Sequence, residues 1–405
     1  MSTSASADTP EALHARMIDR ILRAGHARNP NVARALRAVP RHLFVPDAPV
    51  ADAYADIAVI TKRAANGAPL SCASVPTVVA MMLDQLDAQP GDRILEIGAG
   101  TGYNAALLAE LVGESGHVTT VDVDPEVTAQ ARDALDVTGY SGVDVLTRDG
   151  ALGAPEHAPY DRIIVTVGAW DLSAAWTTQL VPSGRLVVPL RWRGQTHAVA
   201  FTRDGDTLRS ERMDLCGFVP MIGQETEREA TIDANGAVTI YWDVDQPINP
   251  ELLQGVLDRP RCEVWSGVTV GSQEPFSGVW LRLTATEPGT CRIAVEQEAI
   301  TAGICTPAIP SRSPALVEGD SLAYFTFRRQ PTEPGAPTRS ELGAIGHGPN
   351  ASPLAERLTA QIQAWGNDRT ATPYITAHPA STTTDAPPDV LITISKRECQ
   401  LHLSL

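Results

Sequence analysis

A glycine-rich segment, LEIGAGTGYNAALLAE at residues 95–110, limits the folds open to this chain more than any other stretch. The apolar run before it predicts a buried strand over 93–97, and the Ala/Leu-rich run after it predicts a helix over 103–112. Glycines between a strand and a helix let backbone N–H groups and the positive end of the helix approach a ligand, because no Cβ intervenes. The segment therefore predicts a nucleotide-like ligand, although a tight turn without a ligand is the structural alternative.

The spacing of the glycines narrows the choice of ligand. Gly98, Gly100 and Gly102 form GxGxG and follow Glu96, whereas the dinucleotide fingerprint is GxGxxG around a pyrophosphate. An acid two residues before the first glycine is poorly placed for a diphosphate but suits a ligand that carries positive charge. S-adenosylmethionine has a sulfonium and an amino acid group and no phosphate, so the spacing favours this cofactor.

Acidic residues follow two further predicted strands. Asp122 ends the strand predicted over 118–123, where a carboxylate can accept hydrogen bonds from both ribose hydroxyls of a nicotinamide dinucleotide or of S-adenosylmethionine. Asp149, with Gly150, follows the third strand at the height of an adenine amino group. Asp124 and Asp161 are instead expected to be structural, the first as a helix cap and the second at a strand entry.

Alternating strands and helices indicate an α/β fold with a mostly parallel, Rossmann-like sheet. Further strands are predicted over 143–146, 162–167 and 185–189, and helices are predicted from Thr9 to about Arg37, over 75–86 and after Asp124. The sequence changes character after about residue 223, so we predict a catalytic domain over 1–225 and a C-terminal α+β accessory domain over 226–405.

The predicted accessory domain combines short β-like runs with two helical stretches. The runs are AVTIYW, CEVWSGVTV, GVWLRLTA, CRIAV and LAYFTF, and the helices are expected over 250–257 and 353–365. The Pro/Thr-rich segments 330–338 and 380–388 are expected to be exposed loops.

Composition excludes several classes of partner. The chain has 405 residues and a formal net charge of −16, which disfavours nucleic acid. It has no apolar run of 18 residues and no basic leader. We therefore expect a cytoplasmic location and no membrane partner. Its six cysteines form no CxxC pair, so reduced thiols, and no metal site, are expected.

Four stretches together carry a family resemblance. VPRHLFVP (39–46), LSCASVPTVVAMML (70–83), LEIGAGTGYNAALLAEL (95–111) and PYDRIIVTVGA with QLVPSGRLVVPL (159–190) resemble the protein-L-isoaspartate O-methyltransferase family of class I S-adenosylmethionine-dependent methyltransferases. The resemblance covers about residues 15–225. It implies an enzyme that transfers a methyl group to a carboxyl oxygen and releases S-adenosylhomocysteine.

The resemblance also implies roles for individual residues. It surrounds the methionine part of the cofactor with Glu96, Gly98, Ala99, Gly100, Gly102 and Tyr103, and it places Asp122 and Val123 at the ribose and Asp149 and Gly150 near the adenine. The acceptor segment corresponds to Cys72, Ala73, Ser74, Val75 and Pro76, and Arg41 is a candidate contact for an acidic peptide or a salt-bridge residue. Cys72 and Thr77 depart from the Thr and His that are usual in the family.

Methyl transfer to a carboxylate needs no general base, because a carboxyl with a pKa of about 4 is already ionised at neutral pH. Ser74 is the candidate catalytic residue, since its hydroxyl can orient the acceptor carboxylate. The alternative role for Ser74 is capping the helix that begins at Pro76. The methyl ester of an aspartyl or isoaspartyl residue can then close to a succinimide (aspartimide), which hydrolyses to aspartate or isoaspartate.

The extension beyond residue 225 leaves more than one function open. The long form resembles homologues from lanthipeptide and graspetide biosynthesis, which implies tailoring of one aspartate in a crosslinked, ribosomally made peptide that the accessory domain recognises. The alternatives are general isoaspartate repair, a non-catalytic protein that binds S-adenosylmethionine, and a dehydrogenase if NAD binds instead. The sequence does not indicate an oligomeric state.

Overall fold

The computed structural model describes residues 9–225, 227–331, 337–381 and 387–405, and the chain divides into two compact units. The first unit runs to Leu190 and takes in Thr196–Gln224. The second unit holds Arg191–Gln195 and continues from Glu225.

Helices form the N-terminal part of the first unit. They are α1 (Pro10–Arg23), α2 (Pro30–Ala38), α3 (Val50–Tyr54) and α4 (Pro76–Leu86). The single helix predicted from Thr9 to about Arg37 is wrong, because Gly25 at φ +73° separates two helices. Thr9 caps α1 as predicted, and Asn29 gives α2 a cap of its own by accepting a hydrogen bond from the N–H of Asn31.

A short hairpin precedes α4 and forms a two-stranded antiparallel sheet. Its strands are β1 (Val59–Arg63) and β2 (Pro69–Ala73), with Val59 opposite Ala73 at the base and Arg63 opposite Pro69 near the turn. β2 leads directly into the acceptor segment and the first turn of α4. This connection fixes where residues 72–76 can lie.

The main sheet of the first unit confirms the α/β prediction. Its strands are β3 (Arg93–Ile97), β4 (His117–Asp122), β5 (Asp144–Thr147), β6 (Tyr160–Val165) and β7 (Leu180–Trp192), alternating with helices α5 (Tyr103–Val112), α6 (Pro125–Val137) and α7 (Ala174–Gln179). These five strands lie parallel in the order β7-β6-β3-β4-β5. The antiparallel pair β8 (Gln195–Asp204) and β9 (Thr207–Leu215) continues the sheet beyond β7.

The order of the strands in the sheet reverses beside β3. The chain runs from β3 through β4 to β5 at one edge and then returns to β6 on the other side of β3. In open parallel sheets this switch point, at the carboxyl ends of the strands, is where ligands bind. Helix α5 packs beside it with an almost wholly apolar surface, including Leu107 and Leu108, both fully buried.

The second unit is strand-rich, as predicted for an α+β region. Its elements are β10 (Arg228–Thr231), β11 (Val238–Trp242), β12 (Arg261–Gly271), α8 (Ser277–Thr286), β13 (Thr290–Val295), α9 (Gln297–Thr301), β14 (Ser313–Glu318), β15 (Ser321–Arg329), β16 (Arg339–His347), α10 (Ala351–Asn367), β17 (Tyr374–Pro379), β18 (Ile392–Ser395) and β19 (Cys399–Ser404). Seven strands form an antiparallel sheet in the order β10-β11-β13-β14-β15-β16-β12, and β19 pairs with both β17 and β18.

Two sequence predictions for this unit are wrong. GVWLRLTA forms helix α8 and not a strand, because Val279 and Leu283 lie one helical turn apart and pack in one core with Leu358. A short apolar run does not by itself distinguish a strand from a buried helix. The helix predicted over 250–257 is two separate 3₁₀ turns, Pro250–Leu253 and Val256–Asp258, divided by Gly255 at φ +69°.

The remaining predictions concern a helix, two loops, the cysteines and membrane spans. The helix predicted over 353–365 is present as α10, whereas the loops predicted over 330–338 and 380–388 fall largely on 332–336 and 382–386, outside the described residues. All six cysteines lie within the described residues and none forms a disulfide. Among the helices described, none is long and apolar enough to cross a membrane.

Candidate active site

A pocket lies in the first unit at the carboxyl ends of β3, β4 and β6, where the strand order reverses. Hairpin β1–β2, the glycine turn and residues 218–222 complete its walls, and it encloses about 1160 Å³ including the solvent at its mouth. The predicted site residues that line the pocket are Cys72, Ala73, Ser74, Glu96, Gly98, Ala99, Gly100, Tyr103, Asp122, Val123, Asp149 and Gly150.

Backbone contacts build the glycine turn tightly against its neighbours. Gly98 has φ +103°, and a Cβ there would stand 2.5 Å from Thr166 Oγ1. That hydroxyl donates to the Gly98 carbonyl at 2.7 Å, while the N–H of Gly98 donates to the Val121 carbonyl at 2.8 Å. Gly98 therefore fills a space that only glycine fits, and its backbone forms part of the pocket wall.

Gly102 has a different role from Gly98. It caps α5 at φ +81° outside the pocket lining, and a Cβ there would stand 3.1 Å from the Ala131 carbonyl of α6. It thus allows α5 and α6 to pack closely. The structure thus gives Gly102 a packing role, and its role in cofactor binding stays a prediction.

Glu96 is a fully buried carboxyl at the end of β3. Its Oε2 accepts a hydrogen bond from Thr120 Oγ1 at 2.6 Å, and its Oε1 accepts one from Asn104 Nδ2 at 2.8 Å. Burial raises the pKa of Glu96 to about 7, because the two hydrogen bonds only partly offset the loss of water. The site therefore holds a carboxyl whose ionised form lacks a cationic partner among the described residues.

Asp122 is held by the backbone at the end of β4. Its Oδ2 accepts from the N–H of Gly100 at 3.3 Å and its Oδ1 accepts from the N–H of Asp124 at 3.2 Å. Partial burial raises the pKa of Asp122, and these N–H groups oppose the shift. The carboxylate is therefore oriented toward the pocket with lone pairs left for hydroxyl donors.

The third predicted acid lies at the edge of the pocket. Asp149 is exposed and caps a 3₁₀ turn, Gly150–Leu152, by accepting from the N–H of Ala151 at 2.9 Å. A Cβ on Gly150 would stand 2.4 Å from Ile97 Cγ2, so this position also requires glycine. Val123, which is 45% exposed, forms an apolar part of the rim.

The acceptor segment follows hairpin β1–β2. Val75, not Ser74, is the N-cap residue of α4 and no side chain caps that helix, so the capping alternative for Ser74 is not supported. Ser74 instead lines the pocket and hydrogen-bonds the Cys72 side chain, whose pKa is raised mainly by burial. Pro76 begins α4 and, with Val75, lies behind the pocket lining.

Thr77, which stands where a histidine is usual in the resembling family, has a structural partner. Its N–H and its hydroxyl both donate to the Asp56 carboxylate, at 3.2 and 3.1 Å. Asp56 therefore satisfies donors in the first turn of α4 from outside the helix. Both Thr77 and Asp56 lie outside the pocket lining.

Arg41 is not a surface contact for a peptide. Its side chain is fully buried, Nε donates to the Ala53 carbonyl at 2.8 Å, and one Nη donates to the Ala73 carbonyl at 3.0 Å. The guanidinium also lies over the Tyr103 ring, 5.1 Å from its centroid. The substrate-binding prediction for Arg41 is corrected accordingly, because the residue supports the acceptor segment from behind.

The structural roles expected for two acids are confirmed. Asp124 caps α6 by accepting from the N–H of Glu126 at 3.0 Å. Asp161 accepts from the N–H of Arg93 at 2.8 Å, where β3 begins.

Several pocket residues were missed by sequence reasoning. Asn104 and Thr166 reach the site from α5 and from the end of β6, and residues 218–222 approach from beyond β9. Lys62 reaches it from β1, with its Nζ 2.6 Å from both Asp124 Oδ2 and Glu126 Oε2. Asn104 lies on the following helix, only eight residues after Glu96, so its place near the site could have been predicted from the sequence. Contacts with 218–222 depend on the fold and could not.

The switch-point pocket, its glycine turn, the buried Glu96 and the position of Asp122 at the pocket wall are the features of a Rossmann-type methyltransferase that uses S-adenosylmethionine. The model of the protein-L-isoaspartate(D-aspartate) O-methyltransferase family matches residues 12–226, more than half of the chain. The chain belongs to this family and is a carboxyl methyltransferase whose cofactor is S-adenosylmethionine.

The relatives found by sequence match about half of this chain. A protein-L-isoaspartate O-methyltransferase of Methanopyrus kandleri is 42% identical over 217 residues, covering 53% of this chain and 93% of the relative. The corresponding protein of Hyperthermus butylicus is 40% identical over 228 residues, covering 54% and 92%. A solved protein-L-isoaspartate O-methyltransferase structure aligns with 90% of this chain and 96% of its own, at 20% identity and a TM-score of 0.49.

Replacing Gly98 with alanine tests whether the glycine turn contributes to cofactor binding. Because the new Cβ would collide with Thr166 Oγ1, we expect Gly98→Ala to weaken binding of S-adenosylmethionine by at least ~10-fold in calorimetric titration, the equivalent of about 1.4 kcal/mol. Gly139→Ala is the matched control: Gly139 has a similar φ of +90° but nothing within 4 Å of the added Cβ. Equal loss of affinity in both variants would show that backbone strain, and not the contact with Thr166, is responsible.

The buried carboxyl predicts a pH-dependent affinity. Since the pKa of Glu96 is about 7 and its ionised form attracts a cationic ligand, affinity for S-adenosylmethionine should fall as the pH is lowered through 7 and level off above it. Glu96→Gln should lose ~10- to 100-fold in affinity at pH 8, as expected for a hydrogen bond to a charged group. Titrations from pH 6 to 8 should then show a flatter profile for the variant. An unchanged slope would assign the titration to another group.

Proposed function

We propose that this protein methylates the carboxyl group of an isoaspartyl residue in a protein or peptide. The observation that supports this most directly is the position of residues 72–74, the first part of the family's acceptor segment, beside the glycine turn in one pocket. The similarity to isoaspartate methyltransferases also covers 93% of a relative's own length, so a whole repair enzyme is the counterpart of the first unit.

The residues of the pocket fit the proposed cofactor. Gly98 and Gly100 would let the backbone approach the methionine part, Glu96 would face its positive charge, and the two oxygens of Asp122 would accept hydrogen bonds from the ribose hydroxyls. When bound, S-adenosylmethionine supplies a methyl group on a positively charged sulfur. Glu96 would thereby gain the cationic partner that it lacks among the described residues.

In this proposal the pocket promotes methyl transfer by positioning the acceptor carboxylate. The Ser74 hydroxyl is a neutral donor that would hold one oxygen of the acceptor carboxylate and leave the other oxygen free to accept the methyl group that the bound cofactor would supply. Hairpin β1–β2 contributes Leu70 to Ala73 to the pocket wall. Holding the reacting atoms in this way can supply roughly 7–11 kcal/mol in favourable cases, and no general base is needed.

Completion of repair would not require the enzyme. The esterified carboxyl is a better acyl electrophile than a carboxylate, so the next peptide nitrogen attacks it, releases methanol and forms a succinimide. Hydrolysis of that ring yields aspartate or isoaspartate. The product of the pocket is therefore the methyl ester alone.

A second candidate is the tailoring of a particular aspartyl residue in a crosslinked peptide. Two observations favour it: the second unit lies almost wholly beyond residues 12–226, which the family model matches, and Cys72 and Thr77 replace the usual acceptor residues. In this alternative the second unit would recognise the peptide. The comparisons support isoaspartate methylation better than this tailoring role.

One assay separates the two candidates and tests the main one. The full chain is incubated with labelled S-adenosylmethionine and with three peptides: one containing isoaspartate, its aspartate isomer, and a macrocyclic peptide with aspartate in the ring. We expect methyl ester formation on the isoaspartyl peptide and at least ~10-fold less on the linear aspartyl isomer, a discrimination of about 1.4 kcal/mol. Preference for the macrocycle would favour tailoring, and binding of the cofactor without transfer to any peptide would contradict both.

Substitutions of Ser74 and of Asp122 should impair the enzyme in different ways. Ser74→Ala removes a donor to the acceptor carboxylate and should lower kcat by ~10- to 100-fold, in the range of a hydrogen bond to a charged group, with little change in cofactor affinity. Asp122→Ala should mainly weaken S-adenosylmethionine binding. Steady-state kinetics and calorimetry measure the two effects, with Ser141→Ala on an exposed turn as the control. If Ser74→Ala retained full kcat, the orienting role would be wrong.

A further inference from the structure

Three side chains converge on the amino-terminal edge of the first unit's sheet. His117 begins β4, Asp144 begins β5, and His157 ends the 3₁₀ turn Pro155–His157 that precedes β6. His117 Nε2 lies 2.8 Å from Asp144 Oδ2, and His157 Nδ1 lies 3.0 Å from the same oxygen. The three candidate ligand atoms all lie within 4.8 Å of one another.

This cluster is separate from the methyl-transfer pocket. The pocket lies at the carboxyl ends of β3, β4 and β6, whereas the cluster lies at the opposite, amino-terminal edge of the same sheet. None of His117, Asp144 and His157 lines the pocket. Its chemistry is therefore not explained by cofactor binding or by methyl transfer.

We propose that His117, Asp144 and His157 bind a divalent transition-metal ion of the Zn²⁺ type. Two imidazole nitrogens and one carboxylate oxygen are a donor set that such ions prefer over Mg²⁺ or Ca²⁺. Ligand atoms that are each about 2.1 Å from a metal stand about 3.0 Å apart at octahedral angles and about 3.4 Å apart at tetrahedral ones. The observed separations of 2.8 and 3.0 Å along two edges are close to the octahedral spacing, and the third pair of ligand atoms lies within 4.8 Å.

The surroundings of the cluster suit a metal site with water in its remaining positions. The side chains of His117, Asp144 and His157 are 37%, 39% and 28% exposed, which leaves a path from solvent. The His117 and His157 rings stack with an interplanar angle of 24°. The Arg93 guanidinium donates a hydrogen bond to the His157 carbonyl and so anchors the turn that carries this ligand.

A bound ion would link three segments that are distant in sequence. The ligands lie at the starts of β4 and β5 and just before β6, so their closure around one metal would tie the amino-terminal edge of the sheet together. No metal site is expected from the sequence, because positions 117, 144 and 157 form no recognised spacing. The cluster arises from the parallel order of the strands.

The test uses the full chain after treatment with EDTA. Calorimetric titration with ZnCl2 should show one site, and Zn²⁺ should raise the Tm, because a ligand that binds the folded state stabilises it. His117→Gln and Asp144→Asn should each weaken that binding by at least ~10-fold, since even the loss of an outer-shell partner commonly costs this much. His378→Gln, which alters a histidine whose ring is tilted against that of His402 in the second unit, is the matched control and should bind Zn²⁺ as the unmodified chain does.

Titration with Co²⁺ distinguishes this site from the six cysteines. Binding through nitrogen and oxygen should give visible bands without the intense near-ultraviolet band of thiolate ligation. Circular dichroism establishes that each variant is folded, and His157→Gln serves as a third ligand variant if either of the others is not. A full chain that binds no Zn²⁺, variants that bind it as tightly as the unmodified chain, or a thiolate band would each overturn the proposal and leave a hydrogen-bonded cluster.

Discussion

The arrangement of the methyl-transfer pocket depends on the close approach of Gly98 to Thr166. The Thr166 hydroxyl occupies the space of a Gly98 Cβ and donates to the Gly98 carbonyl, so the turn after β3 is fixed against the end of β6. A second hydrogen bond, from Gly98 N–H to the Val121 carbonyl, fixes the same turn against β4. With both neighbours defined, Glu96 enters the pocket from one strand and Asp122 from the next.

Glu96 represents a cost in stability that the proposed cofactor offsets. A carboxyl whose pKa is raised from 4.5 to about 7 on folding stabilises the fold fully below its ordinary pKa, and this contribution is lost as the pH rises through about 7. At neutral pH and above, the protein therefore carries a buried carboxylate satisfied by Thr120 and Asn104 alone among the described residues. An uncompensated charge of this kind favours a ligand that brings a positive charge.

Residues with local signals were predictable, and those defined by distant contacts were not. Gly98, Glu96 and Asp122 adjoin strand ends that the apolar pattern reveals, so their shared position follows from the parallel sheet. Arg41 gives no such signal, because its burial depends on the carbonyls of Ala53 and Ala73. Helix α8 was mistaken for a strand because tertiary packing decided the state of a short apolar run. His117, Asp144 and His157 likewise meet only through strand order.

The two ends of hairpin β1–β2 are held by interactions of different strength. Near the turn, Lys62 joins Asp124 and Glu126 in ion pairs whose side chains are 31%, 25% and 75% exposed, and such pairs contribute at most about 1 kcal/mol. At the base, the buried Arg41 donates to the Ala73 carbonyl next to Ser74, and loss of that donor would remove a buried hydrogen bond from a charged group. The base is therefore the more costly end to displace. It follows that the position of Ser74 depends on the buried contacts of Arg41, whereas the cover near the hairpin turn depends on exposed charges that salt can screen.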